Sequence, residues 1–269
     1  LVLPLMSCGA RLPIWMLLVP AFFPPAWRAP ALWLIYAAGV ALALLLALLL
    51  RRTILKGEDA PFVMELPPYR MPTLRSVVLK MLDRARLYLS KAGTVILGIS
   101  ILLWAATSFP KPSSYAVDGR IAAGDTVAAT ELASARAAED LEFSVAGRTG
   151  RFLEPAFAPL GFDWKMVTAM IGAFAAKEVF VAQMGIVYSI ADPEEGAEGL
   201  RARLARDYSP LVGVSLILFL LISAPCMATI AVTKRESGRW RWALLQLFGL
   251  TAIAWLVSFL VYQGGRLVA

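Results

Sequence analysis

The 269 residues are 59% hydrophobic and only 17% charged, so a globule of this size cannot bury the apolar surface and lipid must solvate much of it. Two cysteines are too few for a disulfide scaffold, and the absence of histidine excludes imidazole-based metal sites and catalytic triads. The net charge of +7 is typical of basic loops beside a membrane, since no soluble basic domain that could bind nucleic acid accompanies it.

The first 53 residues predict one partial and one complete membrane segment. Residues 12–23 are apolar but too short to span a bilayer unaided, which suggests the remainder of a helix that starts upstream. The chain also begins without Met inside apolar sequence, so we expect a fragment. Residues 31–50 predict a full span, which Arg51 and Arg52 end.

A basic stretch follows, which indicates the cytoplasmic side. Residues 51–91 hold nine Lys or Arg against four Asp or Glu, and four prolines make residues 51–72 a non-helical strap. Residues 73–92 predict an amphipathic helix, because apolar side chains recur at helical spacing from Leu74 to Ala85. Two interpretations remain for it: the basic side faces anionic lipid headgroups, or the helix packs on the membrane domain.

The remaining sequence predicts a polar loop and further apolar segments. Residues 93–109 predict a span, and residues 110–165, with eight acids and six bases, predict an outer loop that is either a small elaboration or loosely ordered. Apolar residues 167–190, 211–232 and 242–262 follow, and a basic loop at 234–241 precedes the last of them. The predicted fold class is all-α: a polytopic helical membrane protein with about five to six membrane-embedded segments.

The crossing number depends on the apolar segment at 167–190. If every apolar segment crosses, the basic loop at 234–241 lies outside, against the positive-inside tendency. If residues 167–190 enter and return on one side, that loop lies inside. Re-entrant backbone is tolerated where protein or a cavity surrounds it, so we favour the second topology.

Two cysteines stand among helix-breaking residues near opposite ends of the chain. Cys8 lies in Ser-Cys-Gly-Ala, and Cys226 follows Pro225. Broken helices at matched positions of a transporter usually flank the substrate site, where unwound backbone offers carbonyl and amide groups. The alternative is that each cysteine is a small buried hydrophobe.

Lys177 and Glu178 lie at the centre of an otherwise apolar segment. Ionisable side chains in a membrane segment are costly and face a cavity or a partner. On a helix, neighbouring residues point about 100° apart, so we expect these two not to pair with each other. A structural ion pair elsewhere in the bundle is the alternative.

Two thiols and a carboxylate without imidazole suit a borderline divalent metal such as Fe²⁺. We therefore take Cys8, Cys226 and Glu178 as candidate metal-contacting residues, with Ser7, Met6, Met227 and Lys177 as lesser candidates. This chemistry permits iron but does not select it over other transition metals or an organic solute.

The sequence resembles the ferrous iron transporter B (FeoB) family along nearly its whole length. The matching stretches are Met6–Pro13, similar to the end of the first Gate motif; Pro61–Arg70, similar to the cytoplasmic strap; Glu154–Pro155 and Ala158–Trp164, similar to the approach to the second Gate; and Phe174–Glu178 and Pro225–Thr229, similar to the second Gate itself. The resemblance implies Fe²⁺ uptake across the bacterial inner membrane, with the Gate cysteines, here Cys8 and Cys226, on the ion path near Glu178.

The resemblance also implies an organisation and a set of partners. It divides the chain into the end of the first Gate (1–29), a core region (30–109), a polar loop (110–165), the second Gate (166–232) and a basic loop with a last span (233–269). No phosphate loop G-x-x-x-x-G-K-[ST] occurs, so we expect no enzyme activity and no cofactor in this chain; GTP and Mg²⁺ would act only through the family's GTPase domain.

The expected partners are Fe²⁺, membrane lipid, that GTPase domain and small Feo accessory proteins, with a homo-oligomer possible and nucleic acid excluded. Two other functions remain open at this point: a Gate-type transporter of an organic solute, similar to nucleoside-transport relatives, and a non-transporting membrane assembly protein.

Overall fold

Helices form every regular element in the part of the chain that the structure describes. The computed structural model describes residues 2, 5–6, 8–53, 71, 73–88, 94–112, 115, 129–188, 193–223 and 226–268. Its helices are α1 (Leu12–Phe22), α2 (Pro25–Thr53), α3 (Leu74–Tyr88), α4 (Thr94–Ser108), α5 (Ala129–Phe143), α6 (Val145–Phe157), α7 (Trp164–Ala175), α8 (Val179–Val187), α9 (Pro193–Asp207), α10 (Pro210–Ile222), α11 (Met227–Ser237) and α12 (Trp240–Val268). The predicted all-α membrane class is confirmed.

Among the residues that the structure describes, three helical segments are long and apolar enough to cross a membrane: Pro25–Thr53, Pro210–Ser237 and Trp240–Leu267. Two shorter apolar helices, Gly9–Phe22 and Trp164–Ala175, accompany them. The long helix α2 exposes large apolar side chains such as Trp33, Leu44 and Leu48, as a surface in contact with lipid does. The chain is therefore a multi-pass helical membrane protein.

Helix α1 is a short helix that starts inside the fold. A 3-10 turn, Gly9–Arg11, leads directly into it, so the expectation that residues 12–23 are only the remainder of a longer helix is wrong. The start of α1 lies near the C-terminal end of α10, because the side chain of Arg11, just before α1, donates to the Leu221 carbonyl. Its last turn lies near the start of α10, where the Phe22 ring packs against Gly213 so closely that a Cβ there would lie 2.3 Å from the ring. The two helices therefore run antiparallel.

Helices α7 and α8 fold back on each other as a hairpin, with Lys177 and Glu178 at its tip. Their closest approach is at Gly172, where a Cβ would lie 2.1 Å from the side-chain oxygen of Gln183. At the open end, the Lys165 ammonium lies 4.7 Å from the centroid of the Tyr188 ring. A helical hairpin is the geometry that the re-entrant topology requires.

A hydrogen-bonded chain ties the open end of this hairpin to the connection before α10. The Tyr188 hydroxyl donates to the Tyr208 hydroxyl at 3.0 Å, and Tyr208 donates to the Asp163 carboxylate at 2.7 Å. The other Asp163 oxygen accepts the Met166 N–H and so caps α7. The open end is therefore held at both helices, whereas the tip projects into the bundle.

Helix α12 packs antiparallel along α10 and α11. Ser215 and Ser258 exchange hydrogen bonds between α10 and α12, and Thr233 donates to Gln246 between α11 and α12 at 2.8 Å. Gly238, with φ of +67°, allows the tight reversal between α11 and α12. Helix α10 ends at Ile222 and α11 begins at Met227, and the backbone of Cys226 between them is extended. Pro225, expected to break the helix there, lies outside the described residues.

Two sequence expectations about the polar regions change. Residues 129–157, expected to form part of a loop, form α5 and α6, and α6 packs closely on α7. The amphipathic helix is present as α3, and its side chains from Leu74 to Arg86 are all exposed, so it does not pack on the described membrane domain. The strap at 54–70 lies outside the described residues.

Candidate functional site

Cys8 and Cys226, 218 positions apart in the sequence, line one cavity of about 780 Å³, which we call the thiol cavity. The hairpin tip, α4 and α5 complete its wall. The residues with polar, charged or thiol side chains along it are Cys8, Ser100, Trp104, Thr107, Ser108, Lys111, Asp140, Lys177, Glu178, Gln183 and Cys226. The cavity follows α4 from Ser100 to Ser108, a length of about 12 Å at 1.5 Å per residue.

Three helical segments begin at this cavity without a capping side chain. Cys8 precedes the 3-10 turn that leads into α1, Glu178 precedes α8, and Cys226 precedes α11, and none of these side chains accepts a hydrogen bond from a backbone N–H of the helix that follows it. Helices α6, α7 and α10, which begin elsewhere, are capped by Ser144, Asp163 and Ser209. Uncapped helix N-termini carry partial positive charge, and the Met227 and Ala228 N–H groups at the start of α11 make no hydrogen bond with a described residue.

Two buried cations lie next to the thiols. Arg11 is 2% exposed and donates to the Leu221 carbonyl at 3.1 Å, one of the last carbonyls of α10. Lys177 is 5% exposed and interacts electrostatically with Arg11 and with both cysteines. Neither cation forms a salt bridge with a carboxylate of the described residues. Buried charges without an ionic partner are costly, so this positive charge must be offset within the cavity.

The predicted site residues divide into two groups. The structure brings Cys8, Cys226, Lys177 and Glu178 to the thiol cavity. Lys177 and Glu178 do not form an ion pair, as expected, but they lie in the turn at the hairpin tip rather than on a helix face. Met6, half exposed, and Met227, half-buried, are not among the residues that line the cavity. Ser7 lies outside the described residues.

The thiols differ in their surroundings. Cys8 is exposed at the cavity, and Cys226 is half-buried, with its sulfur 3.5 Å from the Thr229 hydroxyl. No group of three or more His, Cys, Asp or Glu side chains able to hold a metal ion occurs among the described residues.

Sequence reasoning missed three residues at or beside this site. Arg11 follows Cys8 by three positions. Its place directly before an apolar helix is a signal for a functional role, because an arginine buried in a membrane domain needs a partner. Gln183 is the single strongly polar residue of α8, and it is 4% exposed at the cavity. Asp140 lies in the segment expected to be a loop, and no pattern in the sequence linked it to the cysteines.

Comparisons with known proteins identify the family of this chain. A family model described as ferrous iron transport protein B C terminus matches residues 32–84, and one described as nucleoside recognition matches residues 89–240. The chain belongs to the ferrous iron transport protein B family. The resemblance stated from the Gate and strap motifs is thereby confirmed.

Individual relatives match nearly the whole chain. A protein of Porphyromonas gingivalis named as a fusion of Fe(2+) transport protein A and Fe(2+) transporter FeoB is 42% identical over 99% of this chain and 34% of its own length. Fe(2+) transporter FeoB of Campylobacter jejuni is 38% identical over 96% of this chain and 40% of its own length. Fe(2+) transporter FeoB of Helicobacter pylori 26695 is 32% identical over 99% of this chain and 44% of its own length.

The chain thus spans about a third to less than half of the length of these relatives. No solved structure matches it significantly.

Proposed function

We propose that this chain forms the membrane permease part of a ferrous iron uptake system of the bacterial inner membrane. In this proposal Fe²⁺ passes through the thiol cavity and contacts Cys8, Cys226 and Glu178. The relatives named as Fe(2+) transporters support iron as the cargo. The main support for this path is that two thiols and one carboxylate, at three different helix starts, line a single cavity.

The donor set fits a borderline divalent metal. Thiolate sulfur binds soft and borderline cations, and a carboxylate adds hard oxygen, so two thiols and Glu178 suit Fe²⁺ better than Mg²⁺ or Ca²⁺. The break between α7 and α8 and the Cys226 residue that precedes α11 line the cavity, as do the helix breaks of transporters whose discontinuous helices bind the cargo. Lys111 and Asp140 at the other part of the wall extend the polar lining along α4.

Nucleotide chemistry belongs elsewhere in this proposal. The chain acts as a permease and not as an enzyme, and GTP would influence it only through a GTPase domain of the family that the matched part does not include. The fused protein of Porphyromonas gingivalis, whose name joins Fe(2+) transport protein A to FeoB, motivates a small Feo accessory protein as a further partner.

A transporter of an organic solute is the second candidate. The family model described as nucleoside recognition covers more of the chain than the other, and a cavity of about 780 Å³ is large enough for a small organic molecule. The lining favours the metal, because both cysteines of the chain lie on it.

Thiol protection tests the two candidates against each other. The full chain is purified in lipid nanodiscs under anaerobic, reducing conditions, and the rate of maleimide labelling is measured in Cys226→Ser, which reports on Cys8, and in Cys8→Ser, which reports on Cys226. We expect Fe²⁺ to slow labelling of both thiols, and Mg²⁺ and uridine to leave the rates unchanged.

Two further variants make the assay specific. Glu178→Gln is expected to weaken protection, whereas Glu236→Gln, an exposed residue paired with Arg235 on α11, serves as the matched control and retains it. Protection by uridine but not by Fe²⁺ would favour an organic solute. Labelling rates that no added solute changes would favour a non-transporting assembly protein.

A further inference from the structure

The helix starts at the thiol cavity differ from the other described helix starts whose caps are known. Those of α8 and α11 have no capping side chain, although Glu178 and Cys226 occupy the capping positions, whereas α6, α7 and α10 are capped by serine or aspartate. At the start of α8 the Val179 and Phe180 N–H groups already donate to the Ala176 and Lys177 carbonyls. At the start of α11 the Thr229 N–H donates to the Cys226 carbonyl, whereas the Met227 and Ala228 N–H groups make no hydrogen bond with a described residue. Such groups bind anions by direct donation and through the helix dipole.

Lys177 supplies an independent indication of a ligand. Its side chain is 95% buried, lines the cavity, and makes no hydrogen bond or salt bridge with any residue that the structure describes. An ammonium group has three donors and no acceptor, so this group has donors available to a ligand in the cavity that it lines. Arg11, also buried, has only the neutral Leu221 carbonyl as its partner among the described residues.

The carboxylates of the cavity do not supply the missing partner. Glu178 is exposed and follows Lys177 directly, yet the two form no ion pair. Asp140 accepts a hydrogen bond from the Tyr115 hydroxyl at 3.0 Å, and Lys111 adds a further positive charge to the same wall. The fixed groups around Lys177 therefore leave it with donors and positive charge in excess.

We propose that the thiol cavity binds a small inorganic anion of the size of chloride, held by the Lys177 ammonium and the free N–H groups that begin α11. The anion uses nitrogen donors, whereas the proposed metal uses sulfur and carboxylate oxygen, so both ions fit the cavity together. A bound anion offsets the charge of Arg11 and Lys177 and lowers their repulsion of an incoming divalent cation. The inference goes beyond iron transport, because it does not require iron to be the cargo.

Chloride binding to the full chain in nanodiscs tests the proposal. Radiolabelled chloride is titrated at constant ionic strength, with the bulky sulfonate MES replacing it. We expect saturable binding to the wild-type chain and an affinity about tenfold lower in Lys177→Met, equal to roughly 1.4 kcal/mol, as for one charge-assisted contact. Lys165→Met, at the open end of the same hairpin, is the matched control and retains binding.

Two more variants separate this inference from the proposed function and from a folding defect. Lys177→Arg keeps the charge and is expected to retain binding, and the double variant Cys8→Ser, Cys226→Ser is expected to keep chloride binding while it loses Co²⁺ binding. No saturable chloride binding to the wild type overturns the inference. An unchanged chloride affinity in Lys177→Met also overturns it and would mean that Lys177 interacts with the C-terminus of α7 instead. Loss of chloride binding in the double cysteine variant overturns it as well and would mean that the sulfurs supply the negative charge.

Discussion

Replacement of Gly172 by alanine is expected to destabilise the hairpin of α7 and α8. A Cβ at this position would lie 2.1 Å from the side-chain oxygen of Gln183, 2.4 Å from its Cδ and 2.7 Å from its nitrogen. Carbon contacts are optimal at about 3.5–4.0 Å, so one of the partners must move by more than about 1 Å. Gln183 is buried but lines the thiol cavity, so either its side chain leaves its contact with α7 and turns toward the cavity, or the two helices separate.

The expected cost follows from overpacking of a close interface. Such substitutions destabilise by about 1–3 kcal/mol, and for a domain of this size each kcal/mol lowers the Tm by about 2–4 °C. Circular dichroism of the purified chain in detergent should therefore show an apparent Tm about 2–12 °C lower for Gly172→Ala. Gly185→Ala on α8 is the matched control, because a Cβ there meets nothing within 4 Å.

Rescue identifies the contact. Gln183→Ala removes the atoms that collide, so the double variant Gly172→Ala, Gln183→Ala should be more stable than the sum of the single effects, with a coupling of about 0.5–3 kcal/mol. In one continuous helix, residues 172 and 183 would be about 16 Å apart and could not interact. Equal Tm values for Gly172→Ala and Gly185→Ala, together with additive double-variant effects, would refute the hairpin.

Three further predictions concern the end of the fold opposite the hairpin tip. Gly161→Ala should lower the Tm by several degrees, because the backbone has φ of +83° and a Cβ would lie 2.7 Å from the Tyr262 ring. Asp163→Ala should cost about 0.5–2 kcal/mol in thermal unfolding, because it removes the cap of α7. Burial raises the pKa of Tyr208 above its usual 10.0, and Asp163 raises it further. The contribution of Tyr208 to the free energy of unfolding should therefore be fully present below pH 10 and decrease as the pH rises above 10, because the unfolded state then loses the proton more readily than the folded state.

Each of these has a control that separates it from a general effect. Gly238→Ala, also at positive φ but with open space around it, isolates backbone strain from the collision with Tyr262. Ser144→Ala removes a cap from α6 and leaves α7 intact. Tyr208→Phe should flatten the alkaline part of the stability curve; a curve identical to that of the wild type would show that Tyr208 does not titrate differently in the folded state.

Much of the architecture follows from local sequence patterns. Apolar length predicts the spans, because a bilayer core needs about 20 apolar residues in a helix. Helical spacing of apolar residues predicts α3, and the motif around Pro225 predicts the break before α11. The cysteines and the Lys177–Glu178 pair stand out as candidates by the same means, since charged and thiol groups are rare in apolar segments.

The sequence could not predict the assembly of the thiol cavity. Its wall joins Cys8, Asp140, Glu178 and Cys226, and no local pattern relates positions so far apart. The direction of α8 is set by a turn of three residues, and whether those residues continue or reverse the helix depends on packing at Gly172 and on the hydrogen bonds at Asp163 and Tyr208.

Apolar composition and helical periodicity by themselves determined that this chain is a bundle of membrane helices, because those properties depend on neighbours within a few turns. Only the tertiary structure decided that Asp140 and Gln183 share one cavity with the two cysteines, that α7 and α8 form a hairpin, and that Arg11 and Lys177 are buried without a carboxylate partner among the described residues. These features arise from contacts between helices, whose free energies depend on residues that the chain brings together only when it folds.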